Sequence, residues 1–322
     1  MDRKRTIGVT GGNGFIGSYV VDELLERGYK VAVLDRMDHS AEADPGRFDR
    51  MNGDTELHLG DIRDEVAVTE FCAHVDGVIH LAGCLGTQET IANPVPAATT
   101  NILGGLNVLK AVTQYGLPMV NIAVGNWFED NTYSLTKHTV ERFCNMFRKY
   151  QGTRVTTVRA LNAYGPRQSV AAPYGTSKVR KIMPSFVMRG LCGDQVEVYG
   201  DGEQIMDMIF VEDVAKALVA AWELTAERGP VETVLEAGSG LRTTVNQILA
   251  TVLDETELVT GKRSEVVHVP MRPGETPGAV VVADPSTLHG LATYGWDVTQ
   301  AVGLTEGVRQ TVAYYHRLME EQ

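Results

Sequence analysis

A group of glycines near the N-terminus constrains the fold of this sequence most. They lie between a short apolar run and an amphipathic segment. Residues 6–10 form a short β-branched run, and apolar side chains recur at helical spacing from Phe15 to Arg27. A second apolar run follows at residues 30–34. Strand, helix and strand over about thirty residues form a βαβ unit, whose two strands pair in parallel.

The glycines of this unit have a regular spacing. The segment TGGNGFIG places Gly11, Gly14 and Gly17 between the first strand and the first helix. Glycines here permit a tight turn and close approach of the backbone to a pyrophosphate, and the helix N-terminus adds N–H donors. Asp35 ends the second strand, where a carboxylate accepts hydrogen bonds from ribose hydroxyls and repels a 2′-phosphate. The pattern predicts NAD as the cofactor, while the adjoining Arg36 leaves NADP as an alternative.

The alternation of strands and helices continues along the first half of the chain. Further strands are predicted at 56–59, 77–81, 119–124 and 154–159, and further helices at 65–73, 97–115 and 133–150. This predicts an α/β protein with a Rossmann-type doubly wound parallel sheet. We expect a dinucleotide-binding domain over 1–165, with a returning segment near 205–240. The looser pattern of 166–322 predicts a smaller, mixed α/β domain, mainly substrate-binding.

Composition and charge argue against several classes of binding partner. The 322 residues carry a net charge of -12, which argues against a nucleic-acid partner. The cysteines lie far apart and form neither metal-ligand spacing nor a disulfide pattern, so no metal is expected. No uninterrupted apolar run reaches the ~18 residues of a membrane span, and the N-terminal apolar run is too short for a signal peptide. We expect a cytoplasmic protein without a membrane partner.

Further motifs follow the glycine loop in a specific order. They are Asp61-Ile62, His80-Leu81-Ala82-Gly83, Asn101, Tyr133-Ser134-Leu135-Thr136-Lys137, RALNAYGPRQ at 159–168, VYGDGEQ at 198–204 and Arg272-Pro273-Gly274-Glu275. Together they resemble the extended short-chain dehydrogenase/reductase family, the NAD-dependent nucleotide-sugar epimerases and dehydratases, over nearly the whole chain. The resemblance implies a cofactor site built from Gly11, Gly14, Phe15, Ile16, Asp35, Asp61, Ile62, Leu81, Ala82, Gly83, Asn101, Tyr133 and Lys137. It implies substrate contacts by Thr87, Asn126, Asn162, Arg272 and Glu275.

The reaction is expected at Tyr133 and Lys137. Residues four apart on a helix share one face, so the phenol and the ammonium point the same way. Lowering a tyrosine pKa by ~3 units requires ~4 kcal/mol of preferential phenolate stabilisation. A lysine and a cationic nicotinamide ring can supply it. The resemblance implies that Tyr133 is the catalytic acid/base and that Lys137 also holds the nicotinamide ribose. A second YxxxK at 174–178 lacks the flanking family segments.

Two positions depart from the family pattern. Val124 stands where a hydroxyl residue normally contacts the reacting sugar oxygen, and the following loop is shorter than usual. Asn126, Thr132 and Thr87 are the alternative donors. Met206 stands where an arginine clamps the substrate diphosphate, and a core role for it is favoured. Lysine or arginine side chains that could compensate are Arg180, Lys181, Arg189 and Arg242.

The leading hypothesis is an NAD-dependent nucleotide-sugar epimerase that removes and returns hydride at carbon 4 of the hexose. Alternatives are a dehydratase, decarboxylase or oxidoreductase acting on a nucleotide-diphosphate sugar, or a catalytically weak NAD- or sugar-nucleotide-binding protein. The segment Val124-Gly125-Asn126 lacks the carboxylates of the dehydratases, which argues against elimination. The resemblance also implies a homodimer, formed in part by the helix that carries Tyr133.

Overall fold

The computed structural model describes residues 3–37 and 53–321. Its strands are β1 (Thr6–Thr10), β2 (Lys30–Asp35), β3 (Thr55–Leu59), β4 (Gly77–His80), β5 (Met119–Val124), β6 (Val155–Ala160), β7 (Asn162–Tyr164), β8 (Val196–Tyr199), β9 (Ile205–Met206), β10 (Met208–Phe210), β11 (Leu235–Ala237), β12 (Thr243–Thr244), β13 (Val266–Val269) and β14 (Val280–Val281).

Its helices are α1 (Phe15–Glu26), α2 (Glu65–Cys72), α3 (Thr87–Ala92), α4 (Pro94–Ala97), a π-helical segment (Ala98–Gly104), α5 (Gly105–Tyr115), α6 (Thr132–Gln151), α7 (Ile182–Cys192), α8 (Val211–Arg228), α9 (Val245–Thr260) and α10 (Leu304–Glu320). Two 3₁₀ segments, Pro285–Tyr294 and Val298–Gln300, precede α10. The helix predicted at 97–115 is therefore π-helical over its first two turns.

Seven strands of the described residues form one parallel sheet in the order β11-β6-β5-β4-β1-β2-β3. The predicted α/β class with a Rossmann-type doubly wound sheet is confirmed. The chain winds outward from β1 in both directions, so β1 and β4 are adjacent and their following loops diverge. The diverging loops leave a crevice at the carboxyl ends of β1 and β4. In sheets of this kind, ligands usually bind in such a crevice.

Helix α8 packs against the main sheet beside β4. Trp222 is fully buried, and a Cβ placed on Gly77 in β4 would lie 2.4 Å from its indole nitrogen. After α8, β11 pairs with β6 at the edge of the main sheet. Helices α7, α9 and α10 surround a second apolar core with Val187, Ile248 and Val312 at its centre. The division into domains at residue 165 stays a prediction.

Two further observations concern partners. Across 3–37 and 53–321, no helix is both long and apolar enough to cross a membrane. In the same part of the chain, no group of three or more histidine, cysteine, aspartate or glutamate side chains is arranged to hold a metal ion.

Candidate active site

The glycine loop is held by close backbone packing. Gly11 has a φ of 74°, and a Cβ at this position would lie 2.8 Å from the backbone nitrogen of Ala82 in the loop after β4. A Cβ on Gly17 would lie 2.1 Å from the carbonyl oxygen of Gly11. Both positions therefore exclude a side chain, and the start of α1 sits directly on the turn.

The exposed end of this loop is suited to an anion. Gly14 is exposed and precedes α1, whose first residues are Phe15 and Ile16. N–H groups in a first helical turn have no intrahelical acceptor, so they remain able to bind phosphate oxygens. At the end of β2, Asp35 Oδ2 accepts a hydrogen bond from the backbone N–H of Asn13 at 3.0 Å. The carboxylate expected at the ribose is thus fixed to the glycine loop.

Asp61 and Ile62 follow β3. Arg63 Nη2 contacts Asp61 Oδ2 at 2.5 Å, and Arg36 Nη1 lies 3.4 Å from the same oxygen. The hydrogen bond from Arg63 is the main reason that the pKa of Asp61 lies below its usual value. Ile62 is buried, and its carbonyl oxygen accepts from Asn107 Nδ2 at 3.0 Å. Asp61 is therefore an ionised, paired carboxylate at the edge where the adenine is expected.

The loop after β4 is anchored to β1. The Thr10 hydroxyl lies 2.7 Å from His80 Nδ1 and accepts from the backbone N–H groups of Leu81 and Ala82 at 3.2 and 3.3 Å. Burial, with a smaller effect of Lys137, lowers the pKa of His80 to about 3. His80 is therefore a neutral histidine that joins the end of β4 to β1.

Asn101 connects this loop to the helix of Tyr133. It lies within the π-helical segment and is buried. Its Oδ1 accepts from the backbone N–H of Cys84 at 2.7 Å, and its Nδ2 donates to the Cys84 carbonyl at 3.1 Å and to Thr136 Oγ1 at 2.9 Å. A Cβ on Gly83 would lie 3.0 Å from Asn101 Oδ1. Asn101 thus fixes the position of the 81–84 loop against α6, and only the structure reveals this role.

Tyr133 and Lys137 occupy the first two turns of α6. Asn131 caps this helix, because its Oδ1 accepts from the backbone N–H of Ser134 at 2.9 Å. Lys137 is 5% exposed as a whole residue, and its ammonium has no hydrogen-bond or ion-pair partner among the described residues, although the nitrogen itself is not fully enclosed. An ammonium on a largely buried side chain without a protein partner is costly, so its presence indicates a ligand that completes the site.

The two pKa values depart from their usual ranges in opposite directions. Burial lowers the pKa of Lys137 to about 8. Burial raises the pKa of Tyr133, and the nearby Cys84 adds to this increase. The chain's own side chains therefore leave Tyr133 protonated at neutral pH. A lowered tyrosine pKa would have to come from positive charge that a bound cofactor brings next to it.

The residues present fit NAD. The glycine loop is exposed at Gly14, the Asp35 carboxylate is held next to it by backbone N–H groups, and the Lys137 ammonium acts electrostatically on His80 at the end of β4. The fit rests on the free N–H groups of the first turn of α1, on an Asp35 carboxylate able to accept further hydrogen bonds, and on a lysine without a protein partner in the described part of the chain.

The loop 272–276 lies against the start of α6. The Gly274 carbonyl accepts from Asn131 Nδ2 at 3.3 Å, and a Cβ on Gly274 would lie 3.2 Å from Thr87 Cγ2 at the start of α3. Arg272 forms an ion pair with Glu275 and lies 4.8 Å from the centre of the Tyr199 ring. The structure thus brings Thr87 and the loop that carries Arg272 and Glu275 next to Asn131, the cap of the helix that carries Tyr133.

Arg272 retains hydrogen-bonding capacity. Its Nε is buried and has no hydrogen-bond partner among the described residues. Lys181 is close enough for electrostatic interaction with Arg272 and Glu89, and burial lowers its pKa. By contrast, Arg180 and Arg189 are both paired with Glu197, at 3.1 and 3.2 Å. Lys181 therefore lies near Arg272, and so does Arg180, whose Nη1 donates to the hydroxyl of Tyr199 at 2.9 Å while Arg272 faces the ring of the same tyrosine.

Asn162 lies in β7, which pairs with β10. Its backbone N–H and its side-chain Nδ2 both donate to the carbonyl of Asp207, at 3.1 and 3.2 Å. The Asp207 carboxylate is fully buried and accepts from Ser239, Gly240 and Ala283. Asn162 is thereby attached to a rigid junction.

Comparison with known proteins is consistent with this geometry. Residues 7–234 match the NAD dependent epimerase/dehydratase family. The chain belongs to this family. Its cofactor is NAD.

Individual relatives span several reactions. A putative UDP-glucose 4-epimerase of Methanocaldococcus jannaschii is 28% identical over 94% of this chain and 96% of the relative. A UDP-N-acetyl-alpha-D-glucosaminuronate decarboxylase of Bacillus cytotoxicus is 27% identical over 83% and 84%. The crystal structure of the Thermotoga maritima UDP-glucose 4-epimerase with UDP-glucose is 30% identical, with a TM-score of 0.80 over 98% of this chain and 99% of that one. Family membership therefore leaves the particular reaction open.

The first departure from the family pattern, Val124, lies in a closely packed part of the sheet. Val124 is 7% exposed at the end of β5, and it pairs with Ala160 of β6. A Cβ on Gly125 would lie 2.3 Å from Leu161 Cδ1, so the next position is closed too. Of the alternative donors, the Asn126 amide donates to Glu129 Oε2 at 2.8 Å. One of its two N–H donors is therefore engaged in the protein without substrate, and the other remains available.

The second departure is Met206. It lies in β9, between β12 and β14, and packs against the second apolar core. This fits the core role favoured by the sequence. Arg242, the last compensating cation considered, is exposed just before β12. The second YxxxK also behaves as expected, since Tyr174 and Lys178 do not lie on a helix and the Tyr174 hydroxyl donates to Asp194 at 2.5 Å.

Glu129 is the site residue that sequence reasoning missed. It is 8% exposed and lies beside Asn131, the cap of α6, with amides of Asn126 and Asn131 donating to its Oε2. A glutamate in a polar loop resembles an ordinary surface charge. The Asn-x-x-Glu-x-Asn spacing was the signal that the carboxylate has local donors.

Proposed function

We propose that this protein is an NAD-dependent 4-epimerase of a UDP-hexose. The observation that carries the proposal is the buried, unpartnered Lys137 one turn after Tyr133, on the side of α6 next to the cofactor crevice. The relatives that act on UDP-sugars, from Methanocaldococcus jannaschii and Thermotoga maritima, support the choice of substrate.

Each residue has a role in this reaction. When bound, NAD supplies the hydride acceptor and returns the hydride to the other face of the sugar. Tyr133 takes the proton of the sugar 4-hydroxyl and gives it back, and Lys137 binds the nicotinamide ribose. Arg272 and Lys181 bind the diphosphate, because a buried free Nε and a neighbouring ammonium provide the positive charge.

Epimerisation is favoured over dehydration because the site lacks a spare acid. Elimination needs a carboxylate free to exchange a proton with the sugar. The nearest buried carboxylate after β5, Glu129, accepts hydrogen bonds from the amides of Asn126 and Asn131, which oppose the rise in its pKa that burial causes. Those hydrogen bonds hold it as an acceptor.

The test is incubation with UDP-, GDP- and dTDP-sugars, including UDP-glucuronic acid, followed by NMR identification of products. We expect interconversion of 4-epimers by the wild type and a loss of at least about 10³-fold in Tyr133→Phe, within the range of general acid–base catalysis. A 4-keto-6-deoxy product or a pentose would replace the epimerase with a dehydratase or a decarboxylase. Undiminished turnover by Tyr133→Phe would refute the role of the tyrosine.

We also propose that the protein is a homodimer that buries the outer face of α6. Leu135 and Tyr150, near the two ends of this helix, are 53% and 72% exposed. Large apolar side chains in one exposed helix face are typical of an interface. Light scattering should give twice the 35.1 kDa chain mass for the wild type and a lower mass for Leu135→Glu. A monomeric wild type would refute the proposal.

A further inference from the structure

The buried Glu129 lies between two parts of the site that perform different tasks. On one side is Asn131, whose Oδ1 caps the helix of Tyr133 and whose Nδ2 donates to Glu129 Oε2 at 3.1 Å. On the other side is the 272–276 loop, whose Thr276 backbone N–H lies close enough to the Glu129 carboxylate to lower its pKa, against the larger opposite effect of burial. The carboxylate therefore lies next to both the cap of the catalytic helix and the loop that carries Arg272.

The connection is reinforced by direct contacts between these two elements. Asn131 Nδ2 also donates to the Gly274 carbonyl at 3.3 Å. A Cβ on Gly274 would lie 2.4 Å from Ile91 Cδ1 and 3.5 Å from Asn131 Cβ, which leaves little freedom for the loop to slide. The φ of Gly274 is 80°, so the loop also turns where a side chain would be strained.

The groups around Glu129 are mostly donors, which suits a carboxylate. The amides of Asn126 and Asn131 donate to its Oε2 at 2.8 and 3.1 Å, and the backbone N–H of Thr276 lies near the same carboxylate. An ionised carboxylate is an acceptor at both oxygens, whereas glutamine has a donor in place of one of them. If Glu129 were replaced by glutamine, the side-chain N–H₂ group would face another N–H donor inside the protein. The two donors would have to move apart.

We infer that Glu129 is a positioning residue that ties the diphosphate-binding 272–276 loop to the N-terminus of α6, so that Tyr133 is held in register with the sugar. This inference rests on the proposed epimerase function. It explains how a loop shorter than the family's still connects the two halves of the site. The three-residue spacing from Asn126 to Glu129 lets one short turn replace a longer segment.

The first test is hydrogen–deuterium exchange of the full chain, which needs no substrate. In Glu129→Gln we expect amides of residues 132–136 and of 274–278 to exchange about tenfold faster, while those of α9 are unchanged. Asn131→Ser keeps a capping oxygen but removes the amide that reaches Glu129 and Gly274, and it should give the same pattern. Asp130→Asn removes the same charge from the neighbouring exposed position and should match the wild type.

The second test is steady-state kinetics with whichever UDP-sugar the NMR screen shows to be turned over. We expect kcat of Glu129→Gln to fall about tenfold or more with little change in the KM for NAD, because misplaced reacting groups reduce the rate of chemistry. Faster exchange throughout the protein, α9 included, with unchanged kcat would overturn the inference in favour of simple destabilisation. Exchange unchanged at both segments would overturn it as well. If the wild type turns over no sugar, the proposed function fails, while the exchange experiment still decides whether Glu129 forms the tie.

Discussion

Replacing Lys137 by methionine should stabilise the protein in the absence of NAD and abolish its activity. Methionine has nearly the same length and fits an apolar site. The lysine is 5% exposed as a whole residue, and its ammonium has no partner among the described residues. Its charge therefore loses hydration on folding without gaining a hydrogen bond. This lowers the free energy of unfolding of the protein without NAD.

The magnitude follows from the pKa. Burial lowers the pKa of Lys137 from 10.5 to about 8. At about 1.4 kcal/mol for each pH unit, keeping the charge costs the folded state about 3 kcal/mol. The cost is complete below pH ~8, where both folded and unfolded chains are protonated. It declines between pH ~8 and 10.5, because the folded lysine loses its proton first, and it is absent above that range.

The assay is urea unfolding of NAD-free protein at pH 7, 9 and 10.5. We expect Lys137→Met to be more stable than the wild type by up to about 3 kcal/mol at pH 7, or roughly 6 °C in Tm, and the difference to shrink as the pH rises. Lys149→Met, at an exposed position of the same helix, is the control and should change stability by less than about 0.5 kcal/mol. A variant less stable than the wild type at pH 7, or a difference independent of pH, would refute the reasoning.

Three further predictions concern the backbone and charges of the site. Gly17→Ala should lose NAD binding in a calorimetric titration and melt roughly 5 °C lower, because its Cβ would lie 2.1 Å from the Gly11 carbonyl oxygen. Asp207→Asn should lower the free energy of urea unfolding by about 3 kcal/mol, since an amide cannot accept all the hydrogen bonds that this buried carboxylate accepts; an unchanged midpoint would contradict this. Asp35→Ser should weaken NAD about tenfold and reduce discrimination against NADP, measured as the ratio of the two dissociation constants; an unchanged ratio would place the ribose elsewhere.

Most of the fold could be predicted from local pattern. Strands β1 and β5 have the predicted bounds, and α6 is one residue longer at each end than the predicted helix. The buried parallel strands are continuous apolar runs, and the glycines mark the turn that must approach a ligand, so the signal is local and strong. The π-helical segment around Asn101 was not predicted, since residues 98–104 have the composition of an ordinary helix.

The candidate site was predictable residue by residue but not in its connections. The i, i+4 spacing places Tyr133 and Lys137 on one face, and the glycine spacing locates the pyrophosphate loop. Local spacing could not show that Glu129 meets Thr276, almost 150 residues later in the chain, or that Lys181 lies beside Arg272. Those contacts depend on how the 272–276 loop packs on α3 and α6.

The sequence by itself therefore determined the Rossmann-type sheet, and it predicts the cofactor loop and the Tyr133–Lys137 pair, because each depends on residues close together in the chain. The tertiary structure decided the protonation and the partners of those residues. Burial sets the pKa of Lys137 and of Tyr133, and burial is the result of packing by α6, β4 and the loop at Cys84. Desolvation and long-range hydrogen bonds exist only when distant segments meet, so no local pattern encodes them.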